Sequence, residues 1–403
     1  MAVDSVRFMA EIVLGALLFL PLLLVTIDTF FRILFLVIAI DFSPREETKN
    51  LDTGTQELTL LILVVANNEE NIIGRTLQML FEAIGVSKSV TLALLADNCT
   101  DQTAQIAETL GVKAYIREDG DPGKGKALSW LTYHVVEDTQ NYDLIAILDA
   151  DTVISADFCQ NIRAAFYSDD TYVVQSFVQP VDEIGLPIAT LVAFSEILSQ
   201  KIDDAARSRL GWTSPLRGTG MVFRRNLFFT VCRGLKTQVD DIEISLRLAE
   251  MNVRVVHNPH LKIFDSKSAN IFGLARQRGR WLKGQRDIWQ GWREKLKILY
   301  YISNWALLHA LLLKPKIALF IIKIALLCII QFLSVNIGLN FLGMLVSFSL
   351  CIDIIYYLTG LRYVSEPVKY LRLFFTTPVF LLMWILGWFF SLSKKDEWLR
   401  ARD

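Results

Sequence analysis

The stretch LTLLILVVANNEE, residues 58–70, decides the fold: a run of apolar residues ends abruptly in four polar side chains. A continuous apolar run of this length predicts a strand that is buried on both faces of a parallel sheet. In such sheets, ligands bind beyond the carboxyl ends of the strands. Asn67, Asn68 and Glu69 are therefore candidate ligand-binding residues.

Three further apolar runs follow, at residues 90–97, 112–118 and 143–151. The polar stretches 71–84 and 100–111 lie between them and have the periodicity of amphipathic helices. Strands that alternate with helices predict an α/β fold with a mostly parallel sheet and helices on both of its faces.

The chain has 403 residues, 53% of them hydrophobic, and the apolar excess lies at its two ends. We predict three regions: a membrane anchor at 1–50, a catalytic domain at 51–300 and a transmembrane region of about three helices at 301–403. Amphipathic helices at the membrane interface are expected from about residue 270 onward.

The first region contains an apolar run from Ile12 to Ile40, interrupted by Asp28 and Arg32, which are spaced to pair on a helix. A cleaved signal peptide is the alternative. However, the first residues lack its positive charge and no small-residue cleavage site follows, so a retained anchor is favoured.

Three C-terminal stretches have the length of a membrane span: Lys316–Leu333, Leu339–Leu361 and Leu371–Leu392. Basic residues lie both between the last two stretches and after the final one, so charge does not fix the orientation.

Composition excludes several classes of protein. With 41 basic and 42 acidic residues, the chain has no general attraction to nucleic acid. Its five cysteines form no CxxC pair and it has only four histidines, which argues against a disulfide framework, a zinc site or a histidine-rich metal centre.

Acidic residues recur where predicted strands end or helices begin: Asp97, Asp149, Asp151, Asp240 and Asp241. Clustered carboxylates repel one another unless a cation or a donor-rich ligand compensates. If residues 149–151 are extended, both carboxylates point to one side and one divalent cation could bridge them to phosphates.

Each carboxylate alone has a simpler interpretation. Asp97 or Asp101 could cap the helix at 100–111, and Asp240 could cap the helix that follows it. Their repetition at successive strand ends favours cation binding over helix capping.

Two basic segments complete the pattern. The loop GDPGKGKALSW, residues 120–130, could bring Lys124 or Lys126 to a phosphate, although it is not a Walker loop. The segment 276–295 predicts an amphipathic helix at the membrane surface. Within it, Arg280 could neutralise a diphosphate leaving group and Trp281 could stack on a sugar.

In this order, the motifs resemble those of the membrane-bound family 2 glycosyltransferases, inverting enzymes of the GT-A fold that include cellulose, chitin and hyaluronan synthases. The resemblance covers roughly residues 57–300. It is carried by ANNEE (66–70), ADNCTD (96–101), GKGKAL (123–128), DAD (149–151), RGTGM (217–221), VDDIE (239–243) and QRGRW (277–281).

The resemblance implies a role for each matching residue. Asp241 would be the general base, and Asp149 and Asp151 would bind Mg²⁺ or Mn²⁺. Trp281, Gly218 and Thr219 would bind the acceptor. The donor, by analogy a UDP-sugar, would contact Ala66, Glu69, Asp97, Lys124, Asp149, Gln277 and Arg280. One departure stands out: Val239 and Asp240 replace the Thr-Glu that usually precedes the base.

The resemblance thus implies transfer of a sugar to a growing polysaccharide or a lipid-linked acceptor at the cytoplasmic face of the cell membrane. A single-transfer, glycolipid-forming enzyme is the main alternative, and polymer synthesis through few spans would require a homo-oligomer or an export partner. A non-catalytic nucleotide-sugar sensor is disfavoured because Asp151, Asp241 and Trp281 are present. A transporter would need more intramembrane charge.

Overall fold

The computed structural model describes residues 2–40, 58–181, 187–266, 271–292, 302–312, 316–333, 337–373 and 377–392. Eight strands form one sheet: β1 Leu60–Ala66, β2 Val90–Asp97, β3 Lys113–Arg117, β4 Leu144–Asp149, β5 Thr152–Ile154, β6 Val173–Val181, β7 Met221–Arg224 and β8 Val255–Ser266.

The first ten described helices are α1 Ala2–Ile40, α2 Glu70–Ile84, α3 Thr103–Thr109, α4 Lys124–His134, α5 Phe158–Ala165, α6 Pro187–Leu198, α7 Ala205–Arg209, α8 Arg225–Cys232, α9 Asp240–Glu250 and α10 Ile271–Trp292. A π-helical turn, Ser199–Asp204, joins α6 to α7. Five more helices follow: α11 Ile302–Leu312, α12 Lys316–Leu333, α13 Ile337–Gly360, α14 Pro367–Leu373 and α15 Thr377–Ser391.

The strand order is β3-β2-β1-β4-β7-β6-β8-β5. Strands β1 to β4 pair in parallel, whereas β7 runs antiparallel to both of its neighbours. The sheet is therefore mixed and mostly parallel, as predicted. Because β1, β2 and β4 are parallel neighbours, their carboxyl ends meet at one edge of the sheet.

Strand β1 is buried along its whole length. Leu60, Ile62 and Val64 face a core with α2, α3 and α5. Leu61 and Leu63 face a second core with α4, α8 and α9. Two hydrophobic faces explain why the sequence shows a continuous apolar run instead of an alternating one.

Two described stretches are long and apolar enough to cross a bilayer, judged by length and composition: Leu18–Ala39 and Asn340–Tyr363. Leu319–Phe332 and Leu382–Ser391 are shorter apolar helices. Of the predicted span Leu371–Leu392, the structure describes the end of α14 up to Leu373 and α15 from Thr377 onward, and residues 374–376 lie outside the described residues.

Helix α10 lies directly against α15 through two glycines. A Cβ atom at Gly279 would be 2.9 Å from the Gly387 carbonyl oxygen, and one at Gly387 would be 3.0 Å from the Ala275 carbonyl oxygen. The absence of side chains at Gly279 and Gly387 therefore lets the two helix backbones touch.

Candidate active site

Asp97, at the carboxyl end of β2, is completely buried and bound on both oxygens. Its Oδ1 accepts from Arg117 Nη1 at 2.6 Å, and its Oδ2 accepts from the Gly123 amide at 2.6 Å. It caps no helix. Asp101 caps α3, since its carboxylate accepts the Thr103 amide at the start of that helix.

The loop after β1 is fixed by its own polar residues. Asn67 Nδ2 donates to the Asp97 carbonyl at 2.5 Å, and Asn68 Oδ1 accepts the Thr100 amide at 2.6 Å. Asn68 and Asn98 have positive φ, a conformation that asparagine tolerates better than most residues. Asn67 and Asn68 of the ANNEE motif therefore hold the ends of β1 and β2 together. The Glu69 amide donates to Thr103 Oγ1 at 2.8 Å.

Lys124, the first residue of α4, points to the end of β4. Its Nζ bonds the Asp149 carboxylate and donates to the Gly218 carbonyl at 2.6 Å. Burial alone would lower the pKa of Lys124, but the carboxylates of Asp149, Asp240 and Asp241 outweigh it and raise the pKa.

The Gly218–Gly220 turn is built from glycines with positive φ, +85° at Gly218 and +66° at Gly220. A Cβ atom at Gly220 would lie 2.5 Å from Ile263 Cδ1, so only glycine fits there. Between the two glycines, Thr219 Oγ1 accepts the Asp149 amide at 3.1 Å and lies 2.9 Å from Thr152 Oγ1. Thr219, predicted to bind the acceptor, is 3% exposed, and its hydroxyl binds the DAD segment.

The DAD segment is not extended, contrary to the sequence prediction. Strand β4 ends at Asp149, residues 150 and 151 form a turn, and β5 begins at Thr152. The alternation of side chains along an extended strand therefore does not apply to residues 149–151. The side chain of Asp149 is 41% exposed, and Asp151 is half-buried.

Asp240 and Asp241 open helix α9. Asp240 is 6% exposed, and its Oδ2 is buried without a hydrogen-bond partner. Burial, then Asp241 and Asp149, raise the pKa of Asp240 to about 7 against the opposing effect of Lys124. Asp241 is half-buried, and its Oδ1 accepts the Ile242 amide at 2.9 Å.

At the departure from the family motif, Glu243 holds the loop before α9 and Val239 packs against α10. Its Oε2 accepts the Lys236 and Thr237 amides and the Thr237 hydroxyl, at 2.9–3.1 Å, which satisfies the loop before α9. Val239 is buried, and a Cβ atom at Gly284 of α10 would lie 2.5 Å from its Cγ2. Position 239 is thus a packing position between α9 and α10.

Helix α10 contributes the QRGRW residues. Burial lowers the pKa of Arg280 while the Asp149 carboxylate opposes that effect, so the two side chains interact. Gln277 is half-buried on the same helix. Trp281 packs on the apolar cluster around Val239 and Leu246, and the Arg278 guanidinium lies 4.2 Å from its ring centre. The side chains of Trp289 and Trp292 lie outside the described residues.

The residues present suit a divalent cation only in part. Three carboxylates, Asp149, Asp240 and Asp241, interact with Lys124, and Asp149 also interacts with Arg280, so acidic and basic groups meet at one place. The orphaned Oδ2 of Asp240 adds an acceptor that no protein group satisfies. Yet the described part of the chain brings no three metal-ligating side chains together. This fits a cation that is held by one or two carboxylates and completed by substrate phosphates.

Sequence reasoning missed three residues that support this site. Arg117 ends β3, where a basic residue followed by two acidic ones gives no signal of a buried partner. Gln175, completely buried in β6, accepts the Arg217 amide at 2.9 Å and donates to the Thr219 carbonyl at 3.0 Å. Asp204 pairs with Arg217 from a turn distant in sequence.

A basic group, several carboxylates and polar loops thus meet at the carboxyl edge of a mostly parallel sheet, the arrangement of nucleotide-binding α/β proteins. The family model described as glycosyltransferase like family 2 matches residues 58–284. This match spans more than half of the 403 residues, and the chain belongs to that family of glycosyltransferases.

Similar proteins include the β-monoglucosyldiacylglycerol synthases of Synechocystis sp. and Nostoc sp. The first is 25% identical over 281 residues, covering 64% of this chain and 57% of the relative. The second is 24% identical over 249 residues, covering 60% and 51%. The chain therefore spans about half the length of the curated relatives it matches.

Two solved structures show a distant likeness. A mannosyltransferase from Pyrobaculum calidifontis, in complex with GDP-Man and Mn²⁺, has a TM-score of 0.44 and 15% identity, covering 82% of this chain and 98% of that one. A glucosyl-3-phosphoglycerate synthase from Mycobacterium tuberculosis, in complex with Mn²⁺ and UDP-glucose, has a TM-score of 0.33 and 18% identity, covering 51% and 70%.

Proposed function

We propose that the chain is an inverting glycosyltransferase that moves a hexose from a UDP-sugar to a lipid acceptor at the cytoplasmic face of the cell membrane. The observation that carries the proposal is the convergence of Lys124, Asp149, Asp240 and Asp241 beside Arg280. Such a group suits the charged diphosphate of a nucleotide sugar. The apolar stretches Leu18–Ala39 and Asn340–Tyr363 support a position at the membrane.

Asp241 is the proposed general base. A half-buried carboxylate at the first turn of α9, beside the donor group, is suited to accept the proton of the acceptor hydroxyl. That oxygen attacks the anomeric carbon on the face opposite the diphosphate, and the bond to the diphosphate oxygen breaks. A single displacement of this kind inverts the configuration, so an α-linked donor gives a β-linked product.

The remaining residues act on the donor. Lys124 and Arg280 would stabilise the negative charge that develops on the departing diphosphate, with Gln277 beside them. Ala66, Glu69 and Asp97 would hold the nucleoside, Asp97 with the acceptor capacity left after its bonds to Arg117 and Gly123. Mg²⁺ or Mn²⁺, when bound with the donor, would neutralise diphosphate charge and be held by Asp149 and Asp151.

The acceptor has two candidate classes. The relatives are named for forming a monoglucosyldiacylglycerol, which supports a diacylglycerol-type lipid. The QRGRW motif instead supports a growing polysaccharide, as in the polymerising members of the superfamily. For that product, a homo-oligomer or an export partner would be expected. By analogy with the family, Trp281, Gly218 and Thr219 would contact the acceptor, whichever class it belongs to.

The test uses the full chain in nanodiscs with Mn²⁺ and follows UDP release over a panel of UDP-sugars, with and without diacylglycerol. We expect release with one donor that depends on the lipid, and a product of one sugar per lipid by mass spectrometry. Asp241→Asn should lower kcat by about 10²–10⁴-fold while UDP binding is kept.

Three outcomes would count against the proposal. An α-linked product from an α-linked donor would exclude single inversion. A polymer in place of a glycolipid would move the assignment to the second acceptor class. Donor binding without turnover, under all acceptor conditions, would favour the non-catalytic sensor.

A further inference from the structure

An ion cluster lies among the apolar helices, far in sequence from the proposed active site. It consists of Asp28 and Arg32 in α1, Lys323 in α12 and Asp353 in α13, each at most 2% exposed. Lys323 Nζ donates to Asp28 at 2.7 Å and to Asp353 at 2.8 Å. Arg32 Nε lies 2.9 Å from both carboxylates. The charges balance and tie three helices together.

Charges in apolar surroundings are costly, and those in membrane-spanning segments usually serve a function. Asp353 is the only charged residue of the 24-residue helix α13, so its charged partners come from other helices. His309 of α11 joins from a fourth helix, with Nε2 3.0 Å from Asp28 Oδ1. The cluster therefore fixes the mutual positions of α1, α11, α12 and α13.

Tyr356 connects the cluster to the catalytic domain. The Arg32 guanidinium lies 4.6 Å from the ring centre of Tyr356, on the helical turn of α13 after Asp353. The Tyr356 hydroxyl donates to Asp203 Oδ2 at 3.3 Å. Asp203 is 2% exposed and lies in the π-helical turn Ser199–Asp204. Such turns occur often at functional sites.

The next residue of that turn continues the connection. Asp204 is completely buried and binds two arginines, Arg207 Nη1 at 2.8 Å and Arg217 Nη2. Burial would raise the pKa of Asp204, but Arg217 and Arg207 outweigh it and hold the pKa at about 2, so the carboxylate is ionised. Arg207 also donates to the Ala306 carbonyl of α11 at 3.2 Å.

Arg217 begins the turn that supports the proposed donor site. Its amide donates to Gln175 Oε1 at 2.9 Å. The next two residues, Gly218 and Thr219, bind Lys124 and the Asp149 amide. An unbroken series of contacts therefore leads from Lys323 in α12 to the side chains that would meet the diphosphate.

We infer that Asp204 is a positioning residue for donor binding, and that the ion cluster of α1, α12 and α13 holds it in place through Tyr356 and Asp203. These apolar helices would then support donor binding as well as anchor the protein. This inference rests on the proposed donor site. The protein need not switch between two conformations, because one fixed geometry of residues 217–219 is enough.

The test compares Tyr356→Phe with the control Tyr363→Phe, both in the full chain in nanodiscs. The first removes only the hydroxyl that bonds Asp203, and the second removes a hydroxyl from a partly exposed tyrosine seven residues further on. UDP binding with Mn²⁺ is measured by calorimetry. Backbone hydrogen exchange is followed for the peptide covering residues 214–221.

Tyr356→Phe should weaken UDP binding about threefold to tenfold, the effect of losing roughly one buried hydrogen bond. The 214–221 peptide should exchange faster, and the donor KM should rise while the acceptor KM stays constant. Tyr363→Phe should leave these quantities unchanged. Arg217→Lys, which keeps the charge but loses the planar fork, should have the same effects more strongly.

Unchanged UDP binding in a folded Tyr356→Phe variant would overturn the inference, as would faster exchange without weaker binding. If Tyr356→Phe does not fold, Arg217→Lys decides by the same measurements. Absence of UDP binding by the unmodified chain would instead contradict the proposed function. The two failures can therefore be told apart.

Discussion

At the scale of single residues, Asp240 is a carboxylate whose surroundings disfavour ionisation. It is buried, its Oδ2 has no hydrogen-bond partner, and Asp241 and Asp149 add negative charge around it. These effects raise the pKa of Asp240 to about 7. The proposed base Asp241 is its sequence neighbour, so the charge of one affects the proton affinity of the other.

This raised pKa predicts how stability changes with pH in the metal-free protein. Between pH 4 and 7 the folded state keeps a proton on Asp240 that the unfolded chain releases, so stability falls as the pH rises. We expect Asp240→Asn to remove that slope. The variant should be more stable than the unmodified chain at pH 8, by on the order of 2 kcal/mol, and no more stable at pH 4.

Thermal unfolding in EDTA at the two pH values measures this difference. A matched variant is Asp157→Asn, because Asp157 lies at an exposed helix start and its pKa is lowered by the Ser155 hydroxyl. Equal pH slopes for Asp240→Asn and the unmodified chain would contradict the assignment.

At the scale of elements, the position of Asp241 depends on how α9 packs against α10. Gly284 of α10 lies against Val239, the residue before α9, leaving no room for a Cβ atom. The same helix carries Gln277 and Arg280 one to two turns earlier. One contact therefore sets the distance between the proposed base and the proposed leaving-group residues.

We predict that Gly284→Ala pushes α10 away from α9 and lowers kcat at least tenfold, because misplacing reacting groups by about 1 Å is costly. Val239→Ala makes room for the added methyl group. The double variant should therefore recover part of the lost rate, whereas Val239→Ala alone should have a small effect.

A double-mutant cycle on kcat, with thermal stability measured beside it, gives the coupling between the two positions. Strictly additive effects would show that the packing of Gly284 on Val239 does not control the site.

At the scale of the whole molecule, the ion cluster determines whether the apolar helices can assemble. Lys323→Met would leave Asp28 and Asp353 with Arg32 as their main basic partner, an imbalance of one charge. We expect a loss of about 3 kcal/mol in stability, since removing one partner of a buried ion pair leaves an uncompensated charge.

Restoring the balance should restore stability. The double variant Lys323→Met with Asp353→Asn keeps the Asp28–Arg32 pair and should recover most of the loss, measured as thermal unfolding in nanodiscs. Ile324→Met, at a 42% exposed position of the same helix, is the control and should have little effect. A double variant less stable than Lys323→Met alone would argue against charge balance as the cause.

The sequence by itself determined the elements that depend on local pattern. The apolar runs of β1, β2 and β4 predict buried parallel strands because both of their faces are covered, and the strands form where predicted. The spacing of Asp28 and Arg32 predicts an ion pair, which is present at 2.9 Å. The ordered motifs also led to the family that the comparison confirms.

Only the tertiary structure decided which polar residues meet. Asp204 and Arg217 are 13 residues apart, and Lys323 and Asp28 are 295 apart; local periodicity contains no information about such contacts. It also decided that Asp149 and Asp151 lie at a turn and that Trp281 packs on an apolar cluster. Strand and helix patterns follow from a residue's sequence neighbours, whereas the site depends on which elements the sheet order brings side by side.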